Sequence, residues 1–160
     1  MKKFGEGTET GCCKRFNPTP WEGKLVRFKN RLFLKDKVLC AFNIPLNLGR
    51  VIVRALKLIE NAGALGDQLM LYNPTSLFSA DVRIAVRKNV PGARMESISG
   101  EFLSKVFEGS YGEAGKWTAQ MNEFASKRGK KIKKLYFYYP TCPACAKHYG
   151  KNYTVLLAQV

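Results

Sequence analysis

At 160 residues and 46% hydrophobic, the chain is long enough to close one domain around its own core, and its composition excludes a disordered body. A net charge of +15 would suit nucleic acid or an anionic surface, yet no helix-turn-helix, zinc-finger spacing or ribonucleoprotein aromatic motif organises it. No apolar run approaches the roughly 20 residues that span a bilayer, and Met1-Lys2-Lys3-Phe4-Gly5-Glu6 has the charges of a secretory leader without its apolar centre, so a cytoplasmic protein with no membrane partner is expected.

Residues 1–22, rich in Gly, Thr and Pro, read as an extended arm in which Trp21 is expected to pack onto something. Residues 24–34 alternate in part, with Leu25, Arg27, Lys29 and Arg31 against Val26 and Phe28, which predicts an edge strand or an extended connector. A strand is expected over residues 37–44, closed by Pro45. Asn47 then stands where a helix N-cap belongs, and Val51, Ile52, Ala55, Leu56, Leu58 and Ile59 predict an amphipathic helix from about 48 to 62 that Gly63 stops. Strands follow at 68–72 and 81–88. The latter sets Val82, Ile84 and Val86 on one face and charged groups on the other, a pattern expected of one dry and one wet side.

The same order then recurs: a strand near 100–109, a helix from about Gly112 to Gly129 carrying Ala114, Trp117, Met121 and Phe124, a strand over 132–139 and a last strand over 153–160. Both copies set a tyrosine and a proline at the end of their second strand, as Leu71-Tyr72-Asn73-Pro74 and Tyr138-Tyr139-Pro140. An internal repeat of this kind predicts an α+β fold of two pseudo-symmetric β-α-β-β modules with a central ligand groove between them. The expected division is an N-terminal arm over 1–31 and a single domain over 32–160, with repeats at about 32–90 and 91–160.

Tyr111, Trp117, Tyr136 and Tyr138 are candidates for the second half of a pocket and Phe42, Met70 and Tyr72 for the first, because rings supply stacking area at little entropic cost and methionine adapts to rings of different shape. Acidic residues are scarce. Glu108, at a strand end before Gly109-Ser110-Tyr111, is the first candidate for a groove carboxylate acting as a general acid or base, with Glu101 and Glu113 as alternatives. Cys142-Pro143-Ala144-Cys145 follows a strand as a redox pair does, but fifteen residues beyond Cys145 are too few for a thioredoxin fold. The five cysteines, an odd number, do not form a secreted disulfide framework. Cys142 and Cys145 with two of Cys12, Cys13 and His148 form the one candidate set for a structural zinc; a thiol pair without metal is the other reading, and no further cofactor is expected. The basic runs Lys24–Arg31 and Lys127–Lys134 read as solvated faces, with nucleic-acid or anionic-surface binding as the alternative.

The run Lys105-Val106-Phe107-Glu108-Gly109-Ser110-Tyr111 followed by Trp117, then the Tyr136–Tyr139 strand and a valine-rich last strand, resembles the GyrI-like family of small-molecule-binding domains. Cys12–Phe16 with Pro20-Trp21, Phe42–Asn47, and Thr141–Lys147 with Tyr149–Tyr153 resemble a stand-alone bacterial branch of that family. The resemblance covers about residues 32–160. It implies a duplicated SHS2-like module that binds hydrophobic, aromatic and often cationic small molecules in its groove, for sequestration or sensing, without a DNA-binding domain. Some members hydrolyse cyclopropane-containing toxins. Many carry a glutamate two residues before a tyrosine in the strand where this chain has Tyr136. The expected protein therefore binds aromatic small molecules, as a monomer or weak dimer with no specific nucleic-acid partner, and its alternative is a hydrolase of reactive apolar compounds.

Overall fold

In the computed structural model, which describes residues 2–160, the expected connector and first strand form one element, β1 (Lys24–Ala41). Lys24–Lys35 pairs antiparallel with β5 (Arg94–Glu108), and Phe33–Leu39 pairs with β4 (Ser79–Val86), so residues 24–34 are not an edge. A bulge between Phe28 and Arg31, where Asn30 takes a φ of 49°, bends the strand so that it can serve both neighbours. β3 (Leu65–Ser76), β6 (Lys134–Tyr138) and β7 (Tyr153–Gln159) complete the circuit β1-β4-β3-β6-β7-β5 and back to β1, a closed six-stranded barrel. The short β2 (Ile44–Pro45) folds back on the end of β1.

Closure changes what strand alternation means. Along β4, the side chains of Ala80, Val82, Ile84 and Val86 face the helices, while Asp81, Arg83 and Ala85 point into the barrel; all seven are buried. The wet face expected for this strand is instead the lumen. Six strands enclose less space than the eight that side chains just fill, and here Phe28, Phe33, Leu71, Phe102, Tyr136, Tyr138 and Leu157 fill it.

Helices α1 (Leu48–Asn61) and α2 (Ala114–Lys127) lie outside the barrel. Val51 of α1 and Trp117, Met121 and Ala125 of α2 share one apolar cluster with Tyr72, Phe107 and Phe137, while Ala55 and Ile59 pack in a second with Leu34 and Ile84. Asp36, on the helix side of β1, holds Arg54 of α1 at 2.7 Å. The Asn47 side chain does not cap α1: its Oδ1 accepts from Leu39 N at 2.9 Å and braces the β1–β2 hairpin instead. Gly63, at φ 61°, ends the helix as its position predicts. A third helix, α3 (Pro143–Tyr149), was not signalled by periodicity, since seven residues hold barely two turns. In the first half of the chain β2 intervenes between β1 and α1, and in the second α3 intervenes between β6 and β7; the strands of both halves close one barrel.

One end of the lumen is polar. Arg83, 1% exposed, reaches the Glu96 carboxylate and the Asn73 side-chain oxygen, lies 3.8 Å from Asp81 Oδ2 and 5.4 Å from the centre of the Tyr136 ring. Lys35 Nζ is 3.6 Å from the same Asp81 oxygen. Burial pushes the Glu96 carboxyl up, but the hydrogen bond and charge of Arg83, helped by Lys35 and Lys134, outweigh it and hold the group below its usual range. A carboxylate whose pKa is lower in the folded state adds stability that is present above its unfolded value of about 4.3 and is lost as pH falls through the folded one. Thermal unfolding measured along a pH series should show this acid limb, and Glu96→Gln should make the limb shallower; an unchanged limb would refute the assignment.

The opposite end is covered by the arm, which is packed rather than merely extended. Phe16 and Trp21 set their rings 6.2 Å and 5.4 Å from Tyr138, and the Ser104 hydroxyl donates to Trp21 O at 2.5 Å. No helix among the described residues is long and apolar enough to cross a membrane.

Candidate functional site

The outer sheet face where α1 and α2 meet the barrel is lined with rings. Tyr139, just past β6, is the hub: its ring centre lies 6.1 Å from Tyr72, 6.3 Å from Phe137 in a stacked pair, and 5.2 Å from Tyr111 edge-on. Tyr72 is on this face because β3 alternates, with Leu69 and Leu71 turned inward and Met70 and Tyr72 outward. Tyr111 reaches it from the 3-10 turn Tyr111–Glu113 that leads into α2, a turn begun by the Ser110 hydroxyl accepting from Gly112 N. Beneath α2, Trp117 stacks on Phe107 at 5.6 Å.

These phenols are uncharged. Burial raises the pKa of Tyr72, Tyr139 and Tyr111, and for Tyr72 the hydrogen-bonded Cys40 thiol, 3.5 Å away, adds to the effect. Each hydroxyl therefore remains a proton donor through neutral pH. The carboxylate closest in the chain to this face is Glu113, folded over Gly109 beside Trp117: a Cβ at Gly109 would run into it and would touch the Trp117 ring at 3.7 Å. Gly109 sits at φ 141°, where side chains are disfavoured. Glu113 forms no ion pair among the described residues.

The residues singled out in the sequence divide among several places. Tyr72, Tyr111 and Trp117 belong to this ring-lined face. Met70 is on the outer side too, but against the α1 cluster. Tyr136 and Tyr138 do share one side of their strand, and it is the inside of the barrel. Phe42 is 72% exposed at the tip of the β1–β2 hairpin, edge-on to Phe78 at 5.6 Å, and Cys40 N donates to Phe78 O, so the face runs on into two apolar hairpin tips. Glu108 stands 3.8 Å from Lys151 and, with Glu22, Phe107 and Tyr153, lines a recess of about 320 Å3 at the arm-covered end. Glu101 pairs with Arg27 at 3.3 Å on the barrel surface. Tyr139 and Phe137 were legible only as members of an aromatic strand, Arg83 and Asp81 only as parts of a charged alternating strand, and Glu96 lies ahead of the strand expected near 100–109, in the part of β5 that the sequence did not signal.

The cysteines come together as a group. The sulfurs of Cys12, Cys13, Cys142 and Cys145 all lie within 4.8 Å of one another, a donor set that can hold a metal ion, while Cys40 stays with Tyr72 and His148 turns to Glu9 at 3.9 Å. The Thr10 hydroxyl at the Cys145 sulfur brings that thiol down to about 7, against the opposing effect of burial, whereas burial raises Cys12 to about 11 and Cys13 higher still.

Compared with known proteins, residues 5–160 match the family model described as bacterial hydrolase. No curated protein matches the chain.

Proposed function

Since the chain belongs to the bacterial hydrolase family, we propose that it takes apolar aromatic small molecules onto the ring-lined face beside α2 and hydrolyses them there. The observation that carries this reading is the connected set Tyr72, Tyr139 and Tyr111, with Tyr111 40% exposed at its outer edge and Tyr139 half-buried behind it. A flat ligand gains contact area from rings already held in place, so little side-chain freedom is lost on binding. Uncharged phenols then offer hydrogen bonds to a carbonyl or leaving oxygen. Glu113 is the residue we assign as base for the attacking water: it lies beside the Trp117 ring and has no cationic partner among the described residues, whereas Glu108 and Glu101 are held by Lys151 and Arg27. The GyrI-like resemblance supports the same ligand class, with the two β-α-β-β runs as its duplicated modules and α1 and α2 as the walls of its groove.

The test pairs binding with turnover. The protein is titrated at physiological salt with cationic, neutral and anionic aromatic dyes and with aromatic esters, and each sample is analysed for products by mass spectrometry. Saturable binding weakened at least about tenfold by Tyr111→Ala with Tyr139→Ala is expected, a loss of about 1.4 kcal/mol. Glu113→Gln should still bind while turnover falls by about 10²–10⁴. Unchanged affinity in the double variant would remove the face as the site. Turnover lost in Glu108→Gln but kept in Glu113→Gln would move the chemistry to the recess under the arm, and binding with every compound recovered intact would leave sequestration as the function.

A further inference from the structure

We propose that Cys12, Cys13, Cys142 and Cys145 bind one zinc ion in a closed tetrathiolate site, and that this ion locks the N-terminal arm over the end of the barrel. Four sulfurs within 4.8 Å of one another, all free of disulfides, are the donor set for a soft, tetrahedral cation. Zinc–thiolate bonds of about 2.3 Å place sulfurs about 3.8 Å apart in a tetrahedron, and the Cys12 and Cys13 sulfurs are already 3.6 Å apart. Only small movements separate the present arrangement from a coordinated one.

The surroundings suit thiolates. Cys142 N donates to Cys13 Sγ at 3.4 Å, and the Thr10 hydroxyl lies 3.3 Å from Cys145 Sγ, hydrogen bonds of the kind that orient metal-bound sulfur. Lys14 and Lys147 lie within two residues of the ligands in the chain and offset part of the net negative charge of a zinc with four thiolates, while Arg15 is paired with Glu9 at 3.1 Å. Pro143 starts α3 between Cys142 and Cys145, so one helical turn presents both sulfurs on the same side. With all four positions taken by protein, the ion has no open site for substrate, and its role is structural. Binding releases the thiol protons to solvent, so affinity rises with pH.

The ligands come in two pairs about 130 residues apart, and the arm between Cys13 and Trp21 is what the ion holds in place. Tyr149 OH donates to Cys13 O at 2.6 Å on the same side, and beyond it Phe16 and Trp21 cover Tyr138. Removal of the metal frees the arm at its anchor, while the barrel strands keep their own pairing.

Metal analysis of the purified full chain, followed by cobalt(II) exchange, tests the proposal. One zinc per chain is expected, and the cobalt protein should show thiolate-to-cobalt charge transfer with the strong visible bands of tetrahedral coordination. Chelation should speed trypsin cleavage at Lys14 and Arg15 at least about tenfold and shift the Trp21 emission, a gain that follows from opening the local structure. His148→Ala and Cys40→Ser should each retain the ion. Substoichiometric metal after reconstitution, a weak octahedral cobalt spectrum, or loss of the ion in His148→Ala would overturn the assignment. Cys145→Ser should lose the ion, and the spectrum of the unsubstituted protein decides the matter where that variant fails to fold.

Discussion

Replacing Arg83 with methionine should destabilise the barrel by about 3–5 kcal/mol, the cost of leaving buried charge without its partner. Arg83 is 1% exposed and meets Glu96, Asn73 and Asp81 at once, while Asp81 Oδ1 is buried with no hydrogen-bond partner among the described residues. Methionine fills similar volume, so the loss is electrostatic rather than a cavity. Asp81 then remains in a low-dielectric lumen with Lys35 3.6 Å away, while Glu96, whose side chain is 33% exposed, keeps partial access to water. Urea unfolding monitored by fluorescence gives the change directly. Adding Glu96→Gln and Asp81→Asn to Arg83→Met should recover part of the loss, because the unpaired charges are then gone. A single variant within about 1 kcal/mol of the parent, no more than an exposed ion pair is worth, would show that water reaches the network and screens it.

Deleting Tyr153–Gln159 should abolish cooperative folding. β7 lies between β6 and β5, and Val155, Leu156, Leu157 and Ala158 are fully buried, with Val155 and Leu157 inside the barrel and Leu156 and Ala158 under the helices. Burying each leucine or valine is worth about 1.5–3 kcal/mol, so three of them approach the 5–15 kcal/mol that holds a typical domain together. The deletion also turns β5 and β6 into unpaired edges and opens the lumen to water. Circular dichroism and thermal melting of the shortened chain should show no sigmoidal transition. Leu157→Ala, a milder lesion of the same strand, should fold and lose about 2–5 kcal/mol. A shortened chain that melts cooperatively would mean that β7 is dispensable to closure.

Periodicity located most elements because it is local. Val51, Ala55 and Ile59 repeat at helical spacing and are the buried face of α1, just as Trp117, Met121 and Ala125 are that of α2. The strands near Val82 and Val155 announce themselves by alternation or by continuous apolar runs. The Cys142-x-x-Cys145 pair and the Cys12-Cys13 pair were equally visible, and so was the aromatic strand of Tyr136–Tyr139.

Pairing between distant segments was not visible, and it assigns the roles. Alternation along β4 is the same whether its charged side meets water or the inside of a barrel; only the pairing of β1 with both β4 and β5 turns Asp81 and Arg83 inward. The same closure separates Tyr136 and Tyr138 from Tyr72, Tyr111 and Trp117, which a list of aromatic residues placed in one pocket. It also brings Cys12 and Cys13 to α3. Side-chain spacing is written into a few consecutive residues, but which strand lies beside which depends on free energy summed over the whole closed sheet, and no local stretch carries that sum.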